Sequence, residues 1–175
     1  MEREFEAEWR RLEGEATANL LQVAERERAW PECHAVILPS FEDCRSYTIL
    51  RPPADSPAPP LGVRRVWRRH LDLGKFEAPV IRLRHGPKVQ PTIDEQEAVL
   101  SPDAVASILE RAAGTKVPAR ISERRAGADG ETYVLSFGDL FVSTRFTWWC
   151  DPPEGWEPLE LLLRDIAHAV DDGLT

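Results

Sequence analysis

The sequence predicts an α+β fold: one domain spanning residues 1–175, built on a mainly antiparallel sheet of about six strands with N-terminal, central and C-terminal helices packed on it. Three observations predict it. Two runs of aromatic and β-branched residues, Tyr133 to Phe137 and Phe141 to Trp148, flank a Gly138-Asp139 turn signal, the pattern of a hairpin. Apolar residues recur at helical spacing near the N-terminus and again from Leu159 to Val170. At 175 residues, with 42% hydrophobic and 30% charged residues, the chain suits a single soluble core.

Taken in order, Phe5, Trp9, Leu12, Ala16, Leu20 and Val23 form the stripe of a long first helix. Glu25 to Arg28, alternating in sign, is expected at its solvated end, with Trp30-Pro31 as the stop. His34 to Leu38 and Ser46 to Leu50 read as short strands. The prolines from Pro52 to Pro60 favour an extended surface loop. Val63 to Leu71 reads as a cation-laden strand, with Arg65, Trp67 and Arg69 on one face and Arg64, Val66, Arg68 and His70 on the other. Pro79 to His85 is a candidate neighbour. Thr92 to Leu100 fits either a helix cap or the end of a strand. Ser101-Pro102 caps a helix whose stripe is Val105, Ile108, Leu109 and Ala112, ended by Gly114. A strand over 117–124 is expected to turn into the hairpin and complete a three-stranded meander. In the hairpin's second strand, Val142, Thr144, Phe146 and Trp148 should face inward, with Phe141, Ser143, Arg145, Thr147 and Trp149 on the other face. Asp151, Pro152, Pro153 and Gly155 stop that strand, and the last helix follows with Leu159, Leu162, Leu163, Ile166 and Val170 inward and Trp156 packed at its entry.

The charge is −8 overall but unevenly placed: the stretch from Gly62 to Gln90 carries +6 and the rest of the chain −14. The acidic total disfavours non-specific binding of nucleic acid. Cys33, Cys44 and Cys150 are odd in number and lie in apolar or strand-like segments, as reduced buried thiols do. With no apolar run of roughly 20 residues and no leader-like N-terminus, the expectation is a cytoplasmic protein that does not engage membranes.

Chemistry-bearing motifs are weak. Cys33-His34 beside Cys44 is the one local group of metal-binding residue types, yet neighbours in a strand point to opposite faces. Neither a nucleophile elbow nor a phosphate-cradling glycine loop is present, so the pattern gives no reason to expect a metal, a cofactor or a catalytic constellation. Asp94, Glu95 and Glu97 have the spacing of an ordinary charged surface.

The basic ribbon is the best functional candidate. Arg64, Arg65, Arg68 and Arg69 surround Trp67, with Arg82 and Arg84 nearby if the strands pair, and guanidinium forks match carboxylates and phosphates. The competing expectation is neutralisation by the chain's own acids. Trp149, opposite in the pleat to Trp148, is a second candidate: covered by a helix, or exposed as an interface anchor. These features favour a non-catalytic protein-binding module of bacterial type acting by surface and charge complementarity, of the toxin-neutralising immunity or adaptor kind. The alternatives are an enzyme or anion-binding domain using the arginines, and a nucleic-acid binder.

Overall fold

The computed structural model describes residues 2–77, 89–118, 129–138 and 142–174. The elements are α1 (Glu2–Leu21), β1 (Trp30–Pro39), β2 (Cys44–Arg51), β3 (Leu61–Trp67), α2 (Arg69–Glu77), β4 (Ile93–Val99), α3 (Pro102–Gly114), β5 (Glu131–Gly138), β6 (Ser143–Trp149) and α4 (Glu157–Gly173). The six strands form one antiparallel sheet in the order β4-β3-β2-β1-β5-β6, which establishes the α+β fold.

Helices cover both faces, so the pleat sends apolar residues two ways. On one face Tyr47, Ile49, Leu135 and Trp148 meet Val105 and Ile108 of α3 and the predicted stripe of α4, Leu159, Leu162, Leu163, Ile166 and Val170. Trp156 closes this layer edge-on to Phe146 and Trp148, its Nε1 donating to the Pro118 carbonyl at 3.2 Å. On the other face Leu12, Ala16 and Leu20 of α1 pack on Val36, Trp67 and Val134. Each fully buried Leu or Ile contributes about 2 kcal/mol by leaving water.

Gly62 marks the closest approach of α4 to the sheet. A Cβ there would stand 2.8 Å from Val170 Cγ2 and 3.1 Å from Leu100 Cδ2. Gly62→Ala should therefore cost about 1–3 kcal/mol by overpacking, read as a lower urea midpoint at unchanged slope. A midpoint equal to wild type would show that α4 can shift freely.

Several expectations are corrected. The first helix stops at Leu21 instead of running through Glu25–Arg28. Its Leu20 carbonyl, one of the orphan acceptors of a last turn, is taken by buried His34, and the chain turns tightly over Arg26 to Ala29 with Arg28 at φ 59°. Trp30-Pro31 opens β1 and does not end a helix. The strand predicted over Val63–Leu71 ends at Trp67, and Arg69 and His70 belong to α2. Local bonds enforce the switch: Leu71 and Asp72 donate from their backbone to the Arg68 carbonyl, and the Asp72 carboxylate accepts Trp67 Nε1 at 2.8 Å.

Thr92 to Leu100 resolves as the edge strand β4. The hairpin pairs Gly138 with Ser143, so its connection spans residues 139–142 and not the two of the predicted turn. Gly138 has the positive φ expected of it, 122°, with no room for a Cβ beside the Val142 carbonyl, but it closes β5 and is not a central turn residue. Of the predicted inward set, Phe146 and Trp148 join the core while Val142 and Thr144 are exposed. β5 has β1 and β6 as its two neighbours, so it is not the middle strand of the predicted meander. The predicted strand at 79–85 and most of that at 117–124 lie outside the described residues.

Candidate functional site: a cleft beside the arginine ribbon

Alternation in β3 splits the ribbon between the two faces of the sheet, and each described arginine of it meets acids of the same chain. Arg64 points toward α4, where Nη1 donates to Asp171 Oδ1 at 2.7 Å and Nη2 to Gln96. Arg65 points toward α1, with Nε on Glu95 at 2.6 Å and Nη1 on the Gln22 carbonyl at 3.1 Å. At the strand-to-helix corner Arg68 bridges Asp94 at 2.6 Å and Asp43 at 3.4 Å. Arg69 meets Glu13 at 2.9 Å and lies over the rings of Trp9 and Trp67. Trp67 itself is wholly buried. Arg82 and Arg84 lie outside the described residues.

Arg26 adds a further cation to the same acidic strand, reaching Glu95 at 2.5 Å and Glu97 at 2.6 Å. The bond from Arg65, then that from Arg26, holds the Glu95 carboxyl below its ordinary range. Of the three acids of β4 that resemble a plain charged surface in sequence, Asp94 and Glu95 are thus counter-ions of the ribbon and Glu97 is that of Arg26.

A cleft of 830 Å³ opens where α1 ends and the sheet continues toward β5 and β6. The residues after α1, with Gln22, Val23 and Arg26, form one wall, Trp30 and Pro31 another, and Ser136 and Ser143 the far side. The rim is shaped by a bulge in β1, where the register with β2 shifts between Pro31 and Cys33. Trp30 stands there 50% exposed.

His34 and Ser136 line the cleft and begin a row across three strands that runs on to Arg145, outside the lining. His34 pairs with Ser136, and Ser136 with Arg145. His34 is buried and doubly bonded: Nε2–H donates to the Leu20 carbonyl at 3.0 Å, which leaves Nδ1 to accept from the Thr48 hydroxyl at 2.8 Å. Burial, reinforced by the charges of Arg65 and Arg145, lowers its pKa to about 4, so the ring is neutral and fully engaged. Arg145 is exposed and makes no ion pair among the described residues. It shares its face with the exposed Ser143 and Thr147 and with Trp149, which is neither covered nor free but half-buried.

The sulfur chemistry is quiet. Cys33 packs in the α4 layer and Cys44 in the α1 layer, so the Cys33, His34 and Cys44 group does not converge. Burial pushes the Cys33 thiol up to about 12 and the Cys44 thiol to about 11, leaving both protonated and poor nucleophiles at neutral pH. Among the described residues, no group of three or more His, Cys, Asp and Glu is placed to hold a metal ion, and no helix is long and apolar enough to cross a membrane.

Sequence reasoning missed the cleft and the tasks of His34, Asp72 and Arg145. Only Arg145 left a signal, since alternation already set it beside Ser143, Thr147 and Trp149. Comparisons with protein-family models, with curated proteins and with solved structures give no match to this chain.

Proposed function

We propose that the chain is a non-catalytic protein-binding module that takes a short segment of its partner into the cleft beside Trp30. The observation that carries this reading is the half-exposed indole of Trp30 on the rim of an 830 Å³ cleft. Tryptophan is enriched among the residues that dominate binding energy, and an indole left in water at a concave site gains most from being covered. Arg145, exposed on the same side of the sheet, supplies charge complementarity for a carboxylate in that segment. The paired state of Arg64, Arg65, Arg68 and Arg69 moves the recognition surface away from the ribbon and weighs against nucleic acid as the partner. Neutralisation of a toxin and service as an adaptor are the two roles within this class that suit a small acidic domain.

The test is comparative capture from the native organism with wild type, Trp30→Ala and Arg145→Glu. Both side chains are exposed, so thermal unfolding should be unchanged, while a partner held by wild type should bind Trp30→Ala about 30-fold more weakly. A partner that binds both variants as tightly as wild type overturns the reading.

A small anionic ligand is the second reading, favoured by the cleft's volume, which lies in the range of roughly 300–1,000 Å³ typical of small-molecule sites. It requires a saturable rise in unfolding temperature with phosphate, a nucleotide or an acidic metabolite, lost in Arg145→Ala.

A further inference from the structure

The two edges of the sheet differ. β4 carries Asp94, Glu95 and Glu97, and such acids discourage pairing with another strand. β6 reads Ser-Thr-Arg-Phe-Thr-Trp-Trp, rich in β-branched and aromatic residues and with one charge, and no described strand pairs its outer side. Its ladder with β5 determines which backbone groups face outward. Cys150 N–H donates to the Glu131 carbonyl at 2.7 Å, so in the alternating antiparallel pattern Trp148, Phe146 and Thr144 also bond inward to β5. Ser143, Arg145, Thr147 and Trp149 therefore direct their N–H and C=O groups away from the sheet.

We propose that this edge pairs with β6 of a second copy of the chain, joining two six-stranded sheets across a twofold axis. An axis normal to the sheet requires that each residue keep its face, which restricts the registers to those centred on a residue. Centring on Arg145 sets two guanidinium groups opposite each other and is disfavoured. Centring on Phe146 sets Arg145 against Thr147 and Ser143 against Trp149, free of like-charge contact. In that register Phe146 meets its own copy in a non-hydrogen-bonded pair, the closer of the two antiparallel spacings. The half-buried Phe146 also borders a 380 Å³ groove lined by Leu109 and Ala112 of α3, and the axis brings the two grooves together. One patch meeting itself is what a closed twofold interface needs. The axis also places both clefts on one side of the joined sheet, but the inference stands independently of what the clefts bind.

Sedimentation equilibrium over a range of concentrations and salt tests it. Wild type should move from 19.8 kDa toward twice that mass, more readily at high salt, because each copy carries a net charge of −8. Thr147→Pro removes an outward N–H that bonds no strand among the described residues, so the monomer should stay folded by circular dichroism while dimerisation weakens at least tenfold. Thr147→Glu, facing Arg145 of the other copy twice over, should tighten it about fivefold, and Thr147→Lys should weaken it by a similar factor. A single 19.8 kDa species at every concentration up to about 1 mM, or a dimer indifferent to Thr147→Pro and to the sign of charge at position 147, overturns the proposal.

Discussion

Asp72→Ala should lower the free energy of unfolding by about 4 kcal/mol, the largest loss expected from a single side chain here. The carboxylate is wholly buried and accepts Trp67 Nε1, Lys75 Nζ, Thr92 N–H and the Thr92 hydroxyl, all within 2.8 Å. It thereby holds the end of β3, the first turn of α2 and the approach to β4 in one knot. Removing it leaves an indole N–H, a backbone N–H and an ammonium group without their acceptor, and a void besides. Urea unfolding of Asp72→Ala beside Asp72→Asn separates the two costs, since asparagine keeps the volume and part of the bonding. A loss below about 1 kcal/mol in Asp72→Ala would mean that water replaces the carboxylate freely. Burial pushes the Asp72 carboxyl up, but the bonds from Lys75, Thr92 and Trp67 outweigh it, and the net position is below the ordinary value of 3.8. The stabilisation is therefore present above pH 3.8 and is lost as pH falls through the depressed value.

A second loss should begin at much milder acidity. His34 titrates at 6.5 when unfolded and at about 4 when folded. Between those values the unfolded chain binds the proton that the folded chain refuses, so stability falls as pH drops from 6.5 toward 4. The difference amounts to about 3 kcal/mol in all. The sign is that of a base buried neutral: full stability above 6.5, none of this contribution below about 4. Unfolding free energies of wild type and His34→Gln across the window isolate the imidazole, because the exposed His70 and His168 are common to both chains. Parallel profiles for the two proteins would overturn the assignment. Protonation adds a second N–H at Nδ1, so the contact it disturbs is the one with the Thr48 hydroxyl, while the bond to the Leu20 carbonyl is kept.

Three of the four described helices, α1, α3 and α4, were legible because their information is local. The stripe of α4 repeats within its own 17 residues, and all five predicted positions are buried. Ser101 caps α3 by accepting the Ala104 N–H, as the Ser-Pro pair suggests. The hairpin was legible for the same reason, though its turn length was not, since alternation alone tolerates a shift of two residues.

What sequence could not supply is long-range pairing. Arg64 and Asp171 are 107 positions apart, Arg65 and Glu95 are 30, and no local pattern links them. The run from Val63 to Leu71 keeps a strand's alternation past Trp67, and the bonds to the Arg68 carbonyl and from the Trp67 indole to Asp72 show where helix takes over. The cleft is assembled from residues 22–34, Arg65 and residues 136–143, so it has no signature in any one stretch. Arg145 was placed on the correct face by alternation, while its lack of an ion pair among the described residues emerged only from the three-dimensional arrangement.

The position of β1 has a consequence for how the chain assembles. It precedes every other strand in the chain, yet the sheet grows from both of its sides, toward β2 in one direction and β5 in the other. β2 follows after a short hairpin, whereas β5 begins only at Glu131, and the entropy lost in closing a loop rises with the logarithm of its length. During synthesis at roughly 5–20 residues per second, the meander of β1, β2 and β3 can form while one flank of β1 still waits for β5, β6 and α4. For those seconds Ala35 and Val36, sealed in the finished protein, sit beside a row of unmet backbone donors and acceptors. The nascent protein's vulnerable interval is therefore the delay before β5 and β6 leave the ribosome.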